Sequence, residues 1–239
     1  MYAFWALQSL RPHAVSNFPK AEICQNGAGG RVKNEENKAM KESNNKNVAS
    51  DIVQQGDPVL RAHAASVAKS EFGTKQLNNI LDAMNSALEA EFDGVAIAAP
   101  QIGVSLRIFI VSRKAFAINE DGKIKAEDTE VDAPVMPEKN MVCINPEIIK
   151  VSRKKVKVPE GCLSVRWYYG NTLRHEKAMI RAYDEYGKVF TYGGSGLVAQ
   201  IFQHETDHLN GTLFVDHATE IEELTPKEIA EIQAKSGKR

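Results

Sequence analysis

The stretch Leu197-Val198-Ala199-Gln200-Ile201-Phe202-Gln203-His204-Glu205-Thr206-Asp207-His208-Leu209-Asn210-Gly211 constrains this chain more than any other. At about 100° per residue, Leu197, Ile201, His204 and His208 share one narrow stripe. Val198, Phe202, Glu205 and Leu209 flank it, and Gln200, Gln203, Thr206, Asp207 and Asn210 take the opposite arc. Gly211 stands where a helix ends on a left-handed residue. The period predicts a helix that turns two imidazoles and one carboxylate inward among apolar neighbours. Buried polar groups destabilise a fold unless something pairs with them, so the core must wrap a helix that carries its own polar site.

The spacing His204-Glu205-x-x-His208 supplies a partner. Histidines at i and i+4 sit one turn apart and can grip one divalent metal, with the adjacent glutamate aimed at the metal's open position. There the carboxylate can take a proton from water and return it to a leaving group. The plainer alternative is two core or surface histidines beside a helical glutamate. A catalytic ion needs a third protein ligand. Candidates are His217, a carboxylate, or a cysteine, of which Cys162 stands out within Pro159-Glu160-Gly161-Cys162-Leu163-Ser164. A thiolate binds divalent ions strongly. Spacing alone does not choose between that role and a small buried hydrophobe, which is the reading for Cys24 and Cys143.

Composition narrows the setting. The chain of 239 residues is 43% apolar, enough for a substantial core in one or two domains. Thirty basic against 31 acidic side chains leave a formal charge of −1. No field of one sign gathers nucleic acid or an anionic membrane, and no apolar run reaches the ~18 residues of a bilayer span. Three widely spaced cysteines are not a disulfide framework, which points to a reducing, cytoplasmic compartment.

Residues 1–50 are polar and poor in large apolar side chains, so burial cannot offset their ordering entropy. They read as a disordered extension. An acid-free start bearing Arg11 and Lys20 gives an organellar leader as the alternative. Residues 51–239 form the expected single folded unit. Leu77, Ile80, Leu81, Met84 and Leu88 predict a helix over 74–90 capped by Thr74. Asp93 to Gly103 is turn-rich, and strands are expected at 107–111, 141–144 and 155–158. A hairpin is expected at 178–191 around Asp184-Glu185-Tyr186-Gly187, and residues 119–140 read as a long loop. Thr225-Pro226-Lys227-Glu228 starts a last helix. Central strands with flanking helices indicate α+β.

Three motifs, in order, resemble the peptide deformylase family: Gly94-Val95-Ala96-Ile97-Ala98-Ala99-Pro100-Gln101, Glu160-Gly161-Cys162-Leu163-Ser164, and Gln203-His204-Glu205-Thr206-Asp207-His208-Leu209-Asn210-Gly211. The likeness runs from about Asp51 to Ile221. It implies an α+β fold with mixed or antiparallel strands around a central metal-binding helix. It also implies an enzyme that removes the formyl group from the N-terminal formylmethionine of new polypeptides. Cys162, His204 and His208 would then hold the metal, with water or hydroxide at the fourth position, and Glu205 would be the general acid/base. The Gln101 side-chain amide and the Leu163 backbone N–H would serve the formyl oxygen. Gly94, Val95, Ala96, Ile97 and Gly161 would line the peptide's path. Ferrous iron is the implied ion, with zinc, nickel or cobalt able to substitute. Nascent formylmethionyl chains are the implied partners, with transient association at the ribosome. A basic end, Lys235 to Arg239, is the one hint of an RNA contact, and no specific nucleic acid is expected.

Two departures from that family stand out. Ala96 takes the place of the usual glycine, and Val165-Arg166-Trp167-Tyr168-Tyr169-Gly170 replaces the usual proline and glycine after Ser164. The aromatic run is expected either to reshape the rim of the site or to pack as ordinary strand and core. Glu160 reads either as a solvated charge or as a ligand's hydrogen-bond partner. Two other functions suit the helix motif: a zinc endopeptidase with a different third ligand, and a non-catalytic binder of peptide N-termini.

Overall fold

The computed structural model describes residues 51–118 and 137–236. Expectations for the extension 1–50 with Cys24, for most of the loop 119–140, and for the last residues of the basic end fall outside the described residues.

The segment Ile108-Phe109-Ile110-Val111 explains the layering. It forms strand β2 (Ile108–Val111), with all four residues buried. It needs apolar partners on both sides, because Ile108 and Ile110 face one cluster and Phe109 and Val111 face another. The first side is covered by helix α1 (Lys75–Ala90), whose Leu77, Ile80, Leu81, Met84 and Leu88 are buried as their spacing requires. Thr74 caps it by accepting from the Leu77 N–H. The second side is covered by the later helix α3 (Gly196–Leu209), through Ile201, Phe202 and Leu209.

Around β2, a five-stranded sheet runs in the order β1-β2-β3-β6-β7 among the described residues: β1 (Ala96–Ala98), β3 (Met141–Val151), β6 (Lys177–Tyr183) and β7 (Val189–Ser195). A short helix α2 (Lys114–Ala117) follows β2. In β6, Ala178, Ile180 and Ala182 point to the core, while Lys177, Met179 and Arg181 point out, the period of a half-buried strand. A second, three-stranded sheet joins β4 (Lys155–Cys162), β5 (Val165–His175) and β8 (Thr219–Glu223). Helix α4 (Pro226–Ser236) packs Ile229 and Ile232 near Trp167 and Tyr169 of β5. Among the described residues every strand pairing is antiparallel, and the one parallel contact is an isolated bridge between Ala65 and Leu106.

Three expectations need adjustment. The turn-rich stretch 93–103 contains β1 and a 3-10 turn, Ala99–Ile102, because Ala96 to Ala98 pair in register with Val111 to Phe109. The strands begun at 141 and 155 run on to 151 and 162, since long antiparallel partners take up their backbone groups. Gln200 and Gln203, on the arc away from the histidines, are buried. Helix α3 lies between both sheets, so the arc away from the histidines is buried at Gln200 and Gln203 and reaches the surface only towards Asn210. Gln203 accepts from the His175 N–H and donates to its carbonyl, and Gln200 donates to the Pro159 carbonyl. These amides dock the helix on β4 and β5 through backbone groups that would otherwise lie unpaired.

Candidate metal centre

Helix α3 ends as its sequence indicates. Gly211 has φ +74°, and a Cβ there would meet the Arg61 carbonyl oxygen at 2.5 Å. Glycine is required twice over, by conformation and by space. The last carbonyl finds partners: Leu209 accepts from the Ala64 N–H and from Arg107, which also donates to the Asn210 side-chain Oδ1. This anchoring fixes the turn carrying His204 and His208, whose rings meet edge to face at 4.9 Å.

Strand β4 brings the third donor. At its end, a register shift between Gly161 and Cys162 breaks the ladder with β5, as bulges do where a side chain is re-aimed near a site. The Cys162 Sγ lies 3.1 Å from His208 Nε2. One ligand atom from each of Cys162, His204 and His208 lies within 4.8 Å of the other two. His217 is not part of this group. Burial alone would push the Cys162 thiol up, but the two imidazoles, His208 foremost, hold it well below the ordinary thiol range. Burial would likewise lower His204, yet hydrogen bonds to Cys162 and Glu160 keep it well above the ordinary imidazole range. The thiolate and imidazole nitrogens thus gather positive charge between them. This donor set suits a divalent ion, whose bonds of about 2.0–2.3 Å place neighbouring ligands roughly 3.5 Å apart.

Behind these three side chains stands a buried charge network. Glu160 is fully buried and accepts from Arg174 at 2.7 Å and 3.0 Å. It lies 3.4 Å from His204 Nδ1. Arg174 continues to Asp207 at 2.6 Å. Burial would raise the Glu160 carboxyl, but His204 and Arg174 together hold it well below the carboxylate range. Glu160 is therefore the partner that orients His204, and the solvated-charge alternative is excluded.

Glu205 is buried, and its Oε2 has no hydrogen-bond partner among the described residues. Burial, only partly offset by the histidine charges, pushes its carboxyl up to about 7. A buried carboxylate oxygen left without a partner marks a place made for something more to bind. Gln101 is buried and locked: its Oε1 accepts from the Ala98 N–H at 2.8 Å, and its Nε2 donates to Ser164 Oγ, 3.6 Å from the Cys162 sulfur. The neighbouring chain is strapped across, with Val53 N–H on the Gln101 carbonyl and Gln55 N–H on the Ser164 carbonyl.

Gly94, Val95, Ala96, Gly161 and Leu163 all border the small cavity beside Cys162, His204 and Glu205. Ile97 does not: its side chain is fully buried against α1, which leaves only its backbone for a ligand. Strand β1 is the edge of the five-stranded sheet and pairs only with β2 among the described residues. The aromatic run satisfies both expectations at once, since Trp167, Tyr168 and Tyr169 border the cavity while Tyr169, with Trp167 against it, also packs in a small apolar cluster. Arg174, Ser164 and the pair Asp93–Arg166 were not found from sequence. Strand β5 buries Thr172 and Arg174 and exposes Leu173, the inverse of the usual amphipathic signal.

Comparison with known proteins matches this arrangement to one family. The family described as Polypeptide deformylase matches residues 49–224. A peptide deformylase of Dehalococcoides mccartyi is 36% identical over 174 residues, covering 72% of this chain and 88% of that protein. Peptide deformylase 1A, chloroplastic/mitochondrial, of Arabidopsis thaliana is 36% identical over 170 residues, covering 70% and 60%. Among solved structures, an actinonin-bound class I type b peptide deformylase from Acinetobacter baumannii superimposes with a TM-score of 0.57 at 31% identity, covering 71% of this chain and 97% of that one. The same enzyme bound to Met-Ala-Ser gives 0.56 at 33%, covering 70% and 96%. With the profile spanning most of the chain and the α+β architecture shared, this chain belongs to the polypeptide deformylase family and is an enzyme of that family.

Proposed function

We propose that this chain is a metal-dependent hydrolase that removes the formyl group from N-terminal formylmethionine of newly made polypeptides. The observation that carries the reading is the meeting of Cys162, His204 and His208 beside the unpartnered Glu205 carboxylate oxygen. Cys162, His204 and His208 would hold one divalent ion, which supplies a Lewis acid and lowers the pKa of a water. Iron(II) is the proposed ion, with zinc, nickel or cobalt able to occupy the same donors.

The remaining steps belong to side chains of this protein. Glu205 takes a proton from the attacking water and delivers it to the departing amine, a role suited to a carboxyl raised by burial. The Gln101 Nε2 and the Leu163 backbone N–H donate to the formyl oxygen as it gains charge. The free edge of β1, at Gly94 to Ile97, and the backbone at Gly161 take the peptide as an added strand. Support for peptide ends as substrates comes from the relative bound to Met-Ala-Ser. Residues 51–239 act as one catalytic unit and residues 1–50 as an extension to it. The protein meets nascent chains in the cytoplasm, transiently at the ribosome. Import into an organelle is the alternative that the plant relative's name supports. No helix among the described residues is long and apolar enough to cross a membrane.

Formate release from a formyl-Met peptide, measured on anaerobically purified protein, tests this function. The unaltered protein is expected to turn over, and Glu205→Gln to lose about 10²–10⁴-fold with metal content retained. Absence of formate from the unaltered, metal-loaded protein contradicts it and favours a binder of peptide N-termini. Full formate release by Cys162→Ala contradicts the ligand set, whereas peptide-bond cleavage without formate, with metal content retained in Cys162→Ala, favours the endopeptidase alternative.

A further inference from the structure

Tyr169 stands in the cleft that a peptide would enter. A Cβ on Gly161 would lie 2.5 Å from Tyr169 Cε1 and 2.7 Å from Cδ1, so the ring rests directly on the backbone next to Cys162. Leu224, Ile229 and Ile232 back the ring from the far side. The cavity left between Tyr169, Trp167, Ala96, Cys162, His204 and Glu205 has a volume of 20 Å³. One water needs about 10–15 Å³, whereas sites for small organic ligands run to roughly 300–1,000 Å³. The cleft as it stands has room for a water and none for a peptide side chain.

The chain leading to the ring is also held in place. Trp167 has φ +68°, a left-handed conformation unfavourable for a bulky residue, and its carbonyl accepts from the Leu224 N–H at 2.8 Å. Arg166 lies 5.5 Å over the Trp167 ring, donates to Asp93 at 3.0 Å and 3.2 Å, and pairs with Glu91. Asp93 is itself buried and immediately precedes Gly94, so this clasp ties the tip of β5 to the opposite wall of the cleft.

We propose that Tyr169 is a specificity-determining residue that selects substrates by size. It fills the cleft beside Cys162, and the clasp of Arg166 on Asp93 and Glu91 sets how readily the ring swings aside. The proposal rests on the function given above for which substrates are sorted, while the closed cleft stands on geometry alone. Small N-formyl compounds reach the centre with little displacement of the ring, and a formyl-Met tripeptide must move it.

The test alkylates Cys162 in the full chain after chelation, with iodoacetamide and with a fluorescein-bearing iodoacetamide, followed by peptide mass mapping. Tyr169→Ala is expected to speed the bulky reagent about tenfold and the small one by less than about threefold, and Arg166→Gln to speed the bulky reagent about threefold. A bulky-reagent rate unchanged in both variants overturns the proposal. If Tyr169→Ala does not fold, Arg166→Gln decides alone. In parallel, formate release from formyl-Met-Ala-Ser by the metal-loaded protein is expected to rise about tenfold in Tyr169→Ala, against less than about threefold for formylglycinamide. Faster alkylation with no formate from any variant upholds the gate and removes the hydrolytic reading. Formate from the unaltered protein with neither rate altered in the variants does the reverse.

Discussion

Arg174 and Arg166 sit on the same strand, on two sides of the candidate centre, and each holds two carboxylates. Arg174 grips Glu160 and Asp207, with side-chain exposures of 8%, 0% and 29%. Arg166 grips Asp93 and Glu91, with exposures of 19%, 2% and 30%. The chemistry is the same and the outcome differs with what lies beyond. Behind Arg174, Glu160 passes the constraint to His204, a proposed ligand. Beyond Arg166, the constraint passes to Trp167, which packs against the cluster containing Tyr169. One arginine orients the centre, and the other governs the way in.

Removing each in turn separates the two roles. Arg174→Met leaves the Glu160 charge buried without its main partner. It is expected to destabilise by about 3–5 kcal/mol in denaturant melts and, in the folded fraction, to weaken metal binding about 10–100-fold by titration. An unaltered metal affinity would break the link from Arg174 through Glu160 to His204. Arg166→Gln is expected to destabilise by about 1.5–3 kcal/mol, the scale of a charged hydrogen bond, with metal affinity unchanged. A fall in metal affinity equal to that of Arg174→Met would erase the distinction between the arginines.

Gly161 lies where the two regions touch. Gly161→Ala forces its methyl into the Tyr169 ring and is expected to destabilise by about 1–3 kcal/mol. In a Tyr169→Ala background the effect should shrink by at least about 0.5 kcal/mol. Additive losses would place the strain elsewhere than the ring.

A third pair calibrates the exposed end of the series. Arg61 meets Asp216 at 2.5 Å, with side-chain exposures of 44% and 37%. Burial would raise the Asp216 carboxyl, but the Arg61 hydrogen bond and the Leu213 N–H hold it below its ordinary value of 3.8. A lowered folded pKa contributes stability that is present above that value and is lost as pH falls below it. Solvent screening keeps the contribution to about 0.5 kcal/mol. Asp216→Asn should therefore cost about that much at pH 7 and nothing in strong acid, where the unaltered protein has lost the same contribution.

The helix motif was legible because its chemistry repeats along one face of one element: His204, Glu205 and His208 fall where a 3.6-residue period puts them. Thr74, Gly187 and Gly211 were legible for a similar local reason, since caps and turns depend on neighbours in sequence. Glu160 was ambiguous from sequence because its partners, Arg174 and His204, arrive through strand pairing and helix packing. Arg174 was hidden by an inverted strand, with a charged side chain inward and Leu173 outward. That Ile97 offers only its backbone to the peptide's path was hidden from sequence, because an alternating strand shows one side chain to the cleft and buries the next. Gln200 and Gln203 belong to a helix enclosed by two sheets, a setting that no one-dimensional period reveals.

X-ray absorption on the zinc-loaded full chain tests the central claim most directly. One sulfur at about 2.3 Å and two imidazole nitrogens at about 2.0–2.1 Å are expected, with the sulfur shell absent in Cys162→Ser. A bound ion with no sulfur neighbour, or a sulfur shell that survives that substitution, would contradict the account.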